Sequence, residues 1–194
     1  MKNFKFKLLL TCYLIALISC NKSPDLIAKD EVTISKTAIT QILNISNNQQ
    51  AQRSMYNLLS ANEKSEIWMQ KFTGFLNENN LNSKQKLFVQ RIKNLMTPQF
   101  FVNNSIKEKV NEPELKATAI NLFGVDVAFS LLCTLEKSPI PNTVDPGGTD
   151  CTCSKSSDWC GQYTTCLGAI CTETNSGCGT FWSYSCTGRC QTGV

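Results

Sequence analysis

The sequence predicts an all-α helical bundle domain followed by a small disulfide-rich domain with little regular structure beyond one short β-hairpin. Three observations predict this. Apolar residues recur at helical spacing from about residue 32 to 137. Proline and glycine crowd residues 138–150. Eight of the 11 cysteines fall within residues 151–194.

Residues 1–20 read as an export signal. Lys2, Lys5 and Lys7 form a charged end, and Leu8 to Ile18 form an apolar run of signal-peptide length. That run is short of the roughly 20 apolar residues a spanning helix needs. It ends Leu17-Ile18-Ser19-Cys20, which resembles a lipobox, the cleavage and acylation site of bacterial lipoproteins. A small residue before the cut fits the peptidase, and the Cys20 thiol takes the lipid. Two or more acyl chains, at roughly 0.8 kcal/mol per buried CH₂, make a stable anchor. The rival is a simple cleaved signal without lipid. Residues 20–31 then form a short tether of mixed charge.

The full chain carries 19 Lys+Arg against 15 Asp+Glu, a net +4. Without Lys2, Lys5 and Lys7 the balance is 16 against 15, so the expected mature chain is nearly neutral. It lacks the basic stripe of a nucleic-acid binder, and no nucleic-acid partner is expected.

Residues 32–137 carry the helical pattern. Ala51, Met55, Leu58 and Leu59 have the spacing of one helix face, as do Trp68, Phe72, Phe75 and Leu76. Phe88, Ile92, Leu95 and Met96 repeat it, then Leu115, Ala119, Leu122 and Phe123, then Val125, Phe129, Leu132 and Cys133. Ser60 with Glu63 matches a capping box. Asn82 or Ser83 can cap the next helix, and Asn111 with Pro113 in the first turn opens another. Gly124 marks a break between the last two stripes. An earlier helix over Val32 to Ile45 has weaker support, because Thr and Ile are common in it. The aromatic stripe of Trp68, Phe72, Phe75 and Phe88 is expected to be core, with a ligand groove as its rival reading.

Ser138 to Asp150 holds three prolines and two glycines in 13 residues. Such a stretch cannot form a helix or a central strand. It is expected to be a domain boundary and protease-accessible.

Composition changes at Cys151. Cys12 lies in the signal run, Cys20 is the lipid site, and Cys133 falls on a helical stripe as a buried free thiol. The remaining Cys151, Cys153, Cys160, Cys166, Cys171, Cys178, Cys186 and Cys190 form an even set in an exported chain, the signature of a disulfide scaffold. A segment this small buries too little surface to fold without such staples, each worth about 2–4 kcal/mol. Sequence alone does not choose the pairing, except that Cys151 and Cys153 are not expected to join each other. Zinc ligation by these thiols is the rival chemistry, and export to an oxidising space weighs against it. Trp159-Cys160-Gly161 begins like a thioredoxin-type site, but Tyr163 stands where the second cysteine would be. Gly177 to Cys186 alternates so that Trp182, Tyr184 and Cys186 share one strand face, with glycines at the preceding turn.

Cys151-Thr-Cys153-Ser, Ser157-Asp158-Trp159-Cys160, Cys166, Cys171 and Gly177-Cys178-Gly179 with Trp182, Tyr184 and Cys186 resemble the fulvocin C-related bacteriocin family. The resemblance covers Cys151 to about Gly188, roughly a fifth of the chain. Leu58-Leu59-Ser60 and Glu63 to Trp68 also look like the longer N-terminal part of such proteins. The end, Thr187-Gly188-Arg189-Cys190, does not match. The resemblance implies an antibacterial peptide carried by a precursor. The tail itself is electrically neutral, Lys155 and Arg189 against Asp158 and Glu173. Any membrane or receptor contact would therefore fall to aromatic side chains, with Trp159, Phe181, Trp182 and Tyr184 as the candidates and a target-cell envelope component as the partner. The alternative is a non-toxic surface lipoprotein whose tail is a binding or protective module.

No cofactor and no catalytic residues are expected. The chain contains no histidine, which removes the usual general base and triad member. The carboxylate pairs Glu63/Glu66 and Glu112/Glu114 sit at expected helix starts, where acids favour the helix dipole. The expected location is the cell envelope, through the N-terminal lipid, with the tail released to the medium if the linker is cut.

Overall fold

The computed structural model describes residues 36–45, 48–102, 110–136, 149–161 and 164–192. The signal segment, Cys12, Cys20 and the tether, most of the Pro/Gly linker, and Tyr163 lie outside them.

Helix α1 covers 36–44, α2 Gln49–Asn57, α3 Ala61–Glu78, α4 Ser83–Leu95, α5 Pro98–Val102, α6 Glu112–Phe123 and α7 Val125–Cys133. Local signals set their ends. Ser60 and Glu63 form a reciprocal capping box on α3, and Asn82 does the same with Gln85 on α4. Asn111 caps α6, with proline in the first turn. Gly124, at φ 79°, ends α6 and starts α7, a left-handed backbone that glycine adopts without strain.

The core is aromatic. Tyr56, Trp68 and Phe72 have no exposed area, and Phe100 is buried beside them. Phe88, Ile92 and Met96 face inward from α4 and its end, as the spacing predicts, and Trp68, Phe72 and Phe88 are core residues. On α2 the buried face differs from the expected one. Gln52 and Tyr56 point inward in place of Ala51 and Met55, and Leu58 is 86% exposed, while Leu59 is buried as the spacing predicts. The reason is polar: the Gln52 amide donates to the carbonyls of Ile42 and Ile45, and Tyr56 accepts from the Trp68 indole at 3.1 Å. These bonds satisfy the Gln52 amide nitrogen and the Tyr56 hydroxyl, while the buried Gln52 Oε1 has no partner among the described residues.

Helix α7 is buried on every side from Ala128 onward, and burial continues through Leu135. A helix apolar all round must be enclosed. The other helices cover part of it, and the cysteine-rich segment packs on the rest, through Thr180–Trp182.

That segment contains two antiparallel strand pairs. Strand β1 Thr164–Leu167 pairs with β4 Arg189–Thr192, placing Cys166 opposite Cys190. Strand β2 Thr174–Cys178 pairs with β3 Tyr184–Cys186. The four disulfides are Cys151–Cys171, Cys153–Cys166, Cys160–Cys190 and Cys178–Cys186. The hairpin is present, but Trp182 is not on its strand face: a 3-10 turn over Thr180–Trp182 interrupts it. Residues 39–194 form one compact unit, so the tail is built into the helices rather than tethered beside them.

Candidate functional site

The hairpin tip is closed by Cys178–Cys186, eight residues apart in sequence. Inside this ring Phe181 (φ 56°) and Trp182 (φ 50°) both adopt left-handed backbone. For non-glycine residues that costs on the order of 1–3 kcal/mol each and persists only where surroundings enforce it. Gly179, at φ 64°, supports the turn, because a Cβ there would lie 2.5 Å from the Ser157 Cβ.

The helices supply the enforcing contacts. Trp182 stands edge-on to Tyr56 (centroids 5.3 Å apart) and to Trp68 (6.5 Å). Phe181 stands edge-on to Trp68, Phe72 and Phe100 at 5.7–5.9 Å, the favourable orientation of aromatic quadrupoles. The Trp182 indole N–H donates to the Cys133 carbonyl at 2.6 Å, and the Tyr56 hydroxyl donates to the Phe181 carbonyl at 3.2 Å. The Arg53 guanidinium lies 5.8 Å above the Trp182 ring. Burial pushes the Tyr56 hydroxyl well above the ordinary phenol range.

A second, polar contact centres on Glu112. One carboxylate oxygen accepts from Ser157 Oγ (2.6 Å), Thr180 Oγ1 (2.6 Å) and Trp159 Nε1 (3.1 Å). Charge-assisted bonds of this kind are the stronger ones. Lys116, one turn on, donates to the Asp158 carbonyl and sits 5.2 Å over the Trp159 ring. Asp158 in turn accepts from the amides of Cys160 and Cys166. Arg53 donates to the Thr152 carbonyl, and Ser176 Oγ bonds Asn57 at 2.5 Å.

Three of the four aromatics that the sequence offers as surface contacts are therefore interior. Phe181, Trp182 and Trp159 are buried, and Tyr184 is half-buried. The physical reason is that Phe181 and Trp182 cover the α2–α3 aromatics and the end of α7, while Trp159 lies against Glu112 and Lys116 of α6. Glu112, expected to serve only the helix dipole, is the acceptor that anchors the tail. Nothing in its sequence context marks that role beyond its place at a helix start.

Cys133 is a buried free thiol, and burial, with Glu112 nearby, pushes its ionisation well above the ordinary range. Lys71 faces it. Its ammonium donates to the carbonyls of Ser130 and Thr134 and lies 5.2 Å from the Trp68 ring centre. Burial pulls it down to about 7, while Cys133 and Glu136 act in the opposite direction. The sulfurs of Cys153, Cys160 and Cys166 gather within 4.8 Å of one another. All three are engaged in disulfides, so in the oxidised protein they are not thiolate ligands. Cys160 pairs with Cys190, thirty residues away, which is not a thioredoxin-type spacing.

No helix among the described residues is long and apolar enough to cross a membrane. Comparison of the chain with protein-family models, with curated proteins and with solved structures gives no match.

Proposed function

We propose that this chain is an exported envelope lipoprotein in which a helical bundle carries a bacteriocin-like, disulfide-stapled tail with its aromatic tip masked. The observation that carries the reading is the burial of Phe181 and Trp182 against Tyr56, Trp68, Phe72 and Phe100. A peptide whose only membrane-active groups are aromatic is harmless to its producer while those rings are covered. Four disulfides fit an oxidising extracellular compartment. The Lys2–Cys20 segment supports lipid anchoring at Cys20.

The test has two arms. Metabolic labelling with a clickable fatty acid marks the wild type and spares Cys20→Ala. In the second arm, intact protein and the tail separated after linker cleavage are applied to related strains. Killing by the separated tail at micromolar dose, and none by the intact protein, supports the reading. No killing by either rules out toxicity. A second reading then stands, a permanently full-length, non-toxic envelope protein. The side chains that join the tail to the helices, Glu112, Lys116, Arg53 and Asn57, favour it.

A further inference from the structure

We infer that the α2, α3, α5 and α7 residues around the Phe181–Trp182 tip, with Glu112 of α6, form a receptor surface specific for the oxidised tail, so that cutting the linker does not by itself free it. This inference rests on the masked-tail reading and concerns how the masked state ends.

Three observations carry it. First, each of the four disulfides joins two tail cysteines, and Cys133 of the helical part is free. Once residues 138–150 are cut, the hold is wholly noncovalent. Second, that hold is specific: Trp182 Nε1 meets the Cys133 carbonyl, Tyr56 Oη meets the Phe181 carbonyl, and Glu112 accepts from Ser157, Trp159 and Thr180. Buried aromatics ringed by satisfied polar bonds have the make-up of a binding hot spot. Third, the tip is presented by the Cys178–Cys186 ring in a left-handed conformation that an open chain populates poorly. Preorganisation by a ring raises affinity by lowering the ordering cost. Release therefore needs two events, a cut in the linker and the opening of this ring by an external thiol or another reductant. Two electrons and two protons convert Cys178–Cys186 to two thiols, and the donor thiols become a disulfide.

The experiment uses the full chain with a site-specific protease sequence placed within residues 140–147. After cleavage without reductant, native mass spectrometry and gel filtration are expected to show the two pieces travelling together. Adding a dithiol reductant is expected to separate them. In the cut protein, Trp182→Phe keeps an aromatic ring but removes the N–H donor and part of the buried ring, and should weaken the hold by at least about tenfold. If Trp182→Phe does not fold, Glu112→Gln gives the same readout from the other anchor. A tail that leaves the oxidised, cut wild type at once overturns the receptor. A tail that stays bound after full reduction overturns the role of the ring. Neither readout depends on whether the tail is toxic, so failure here is distinct from a negative killing assay.

Discussion

The indole N–H of Trp182 donates to the carbonyl of Cys133, joining the tip of the disulfide-rich hairpin to the last residue of α7 across 49 positions of sequence. This bond and the rings around it make the tail part of the helical core.

Trp182→Ala should cost about 3–5 kcal/mol, the range for truncating a fully buried large aromatic. Trp182→Phe should cost about 1–3 kcal/mol, because it leaves a buried carbonyl unpaired. Chemical denaturation followed by far-ultraviolet circular dichroism reads the helices. A helical transition indifferent to Trp182→Ala would mean that the tail is not part of their core.

Stability should rise with pH from about 7. The Lys71 ammonium titrates at about 7 in the folded protein and near its ordinary value of 10.5 when unfolded. Between those values the unfolded chain binds more protons, so raising pH favours folding. Cys133 and Tyr56 act oppositely, since both keep their protons in the fold above the ordinary values of 9.0 and 10.0. The rise should therefore be cleanest between pH 7 and 9, amounting to a few kcal/mol at most. Lys71→Met should flatten it, and an unchanged slope in that variant would remove Lys71 as its source.

Gly179→Ala and Gly188→Ala should each destabilise by more than about 2 kcal/mol, through positive φ or steric overlap. A Cβ at Gly188 would lie 2.1 Å from the Leu167 carbonyl oxygen, and one at Gly179 2.5 Å from the Ser157 Cβ. Gly124→Ala meets no neighbour, so its cost should be confined to the backbone at φ 79°, ψ 166°, a region nearly exclusive to glycine, at about 1–3 kcal/mol, and fall below that of Gly179→Ala, which adds the steric overlap. Thermal melts of the three variants check this ranking.

Peptide mapping of unreduced protein should recover Cys151 with Cys171, Cys153 with Cys166, Cys160 with Cys190 and Cys178 with Cys186. Cys133 should resist alkylation until the protein is denatured, since a buried, protonated thiol is unreactive. Any other pairing would contradict the architecture.

Much of the helical part was legible because its signals are local. Ser60 with Glu63, Asn82, Asn111 with Pro113, and Gly124 each act within one turn, and each ends or starts a helix where expected. Gln52 and Ser65 were not legible. A buried polar side chain is readable only through partners such as the Ile42 and Met96 carbonyls, which sequence does not place. The cysteine count foretold a scaffold, but the pairing depends on geometry. Phe181 and Trp182 read as available because their cover, Tyr56 and Trp68, lies more than a hundred residues earlier. The stripe Val125, Phe129, Leu132 and Cys133 marks one apolar face of α7, whereas the structure buries every side of it from Ala128 onward.

The enclosure of α7 has a consequence for biogenesis. A chain made from its amino end completes every helix before the hairpin that seals them exists, and Tyr56 waits 125 positions for Phe181. Contacts this distant close slowly. Until Phe181 and Trp182 arrive the helices lack their cover, and the last cross-link of the tail, Cys160–Cys190, waits for a cysteine later still in the chain.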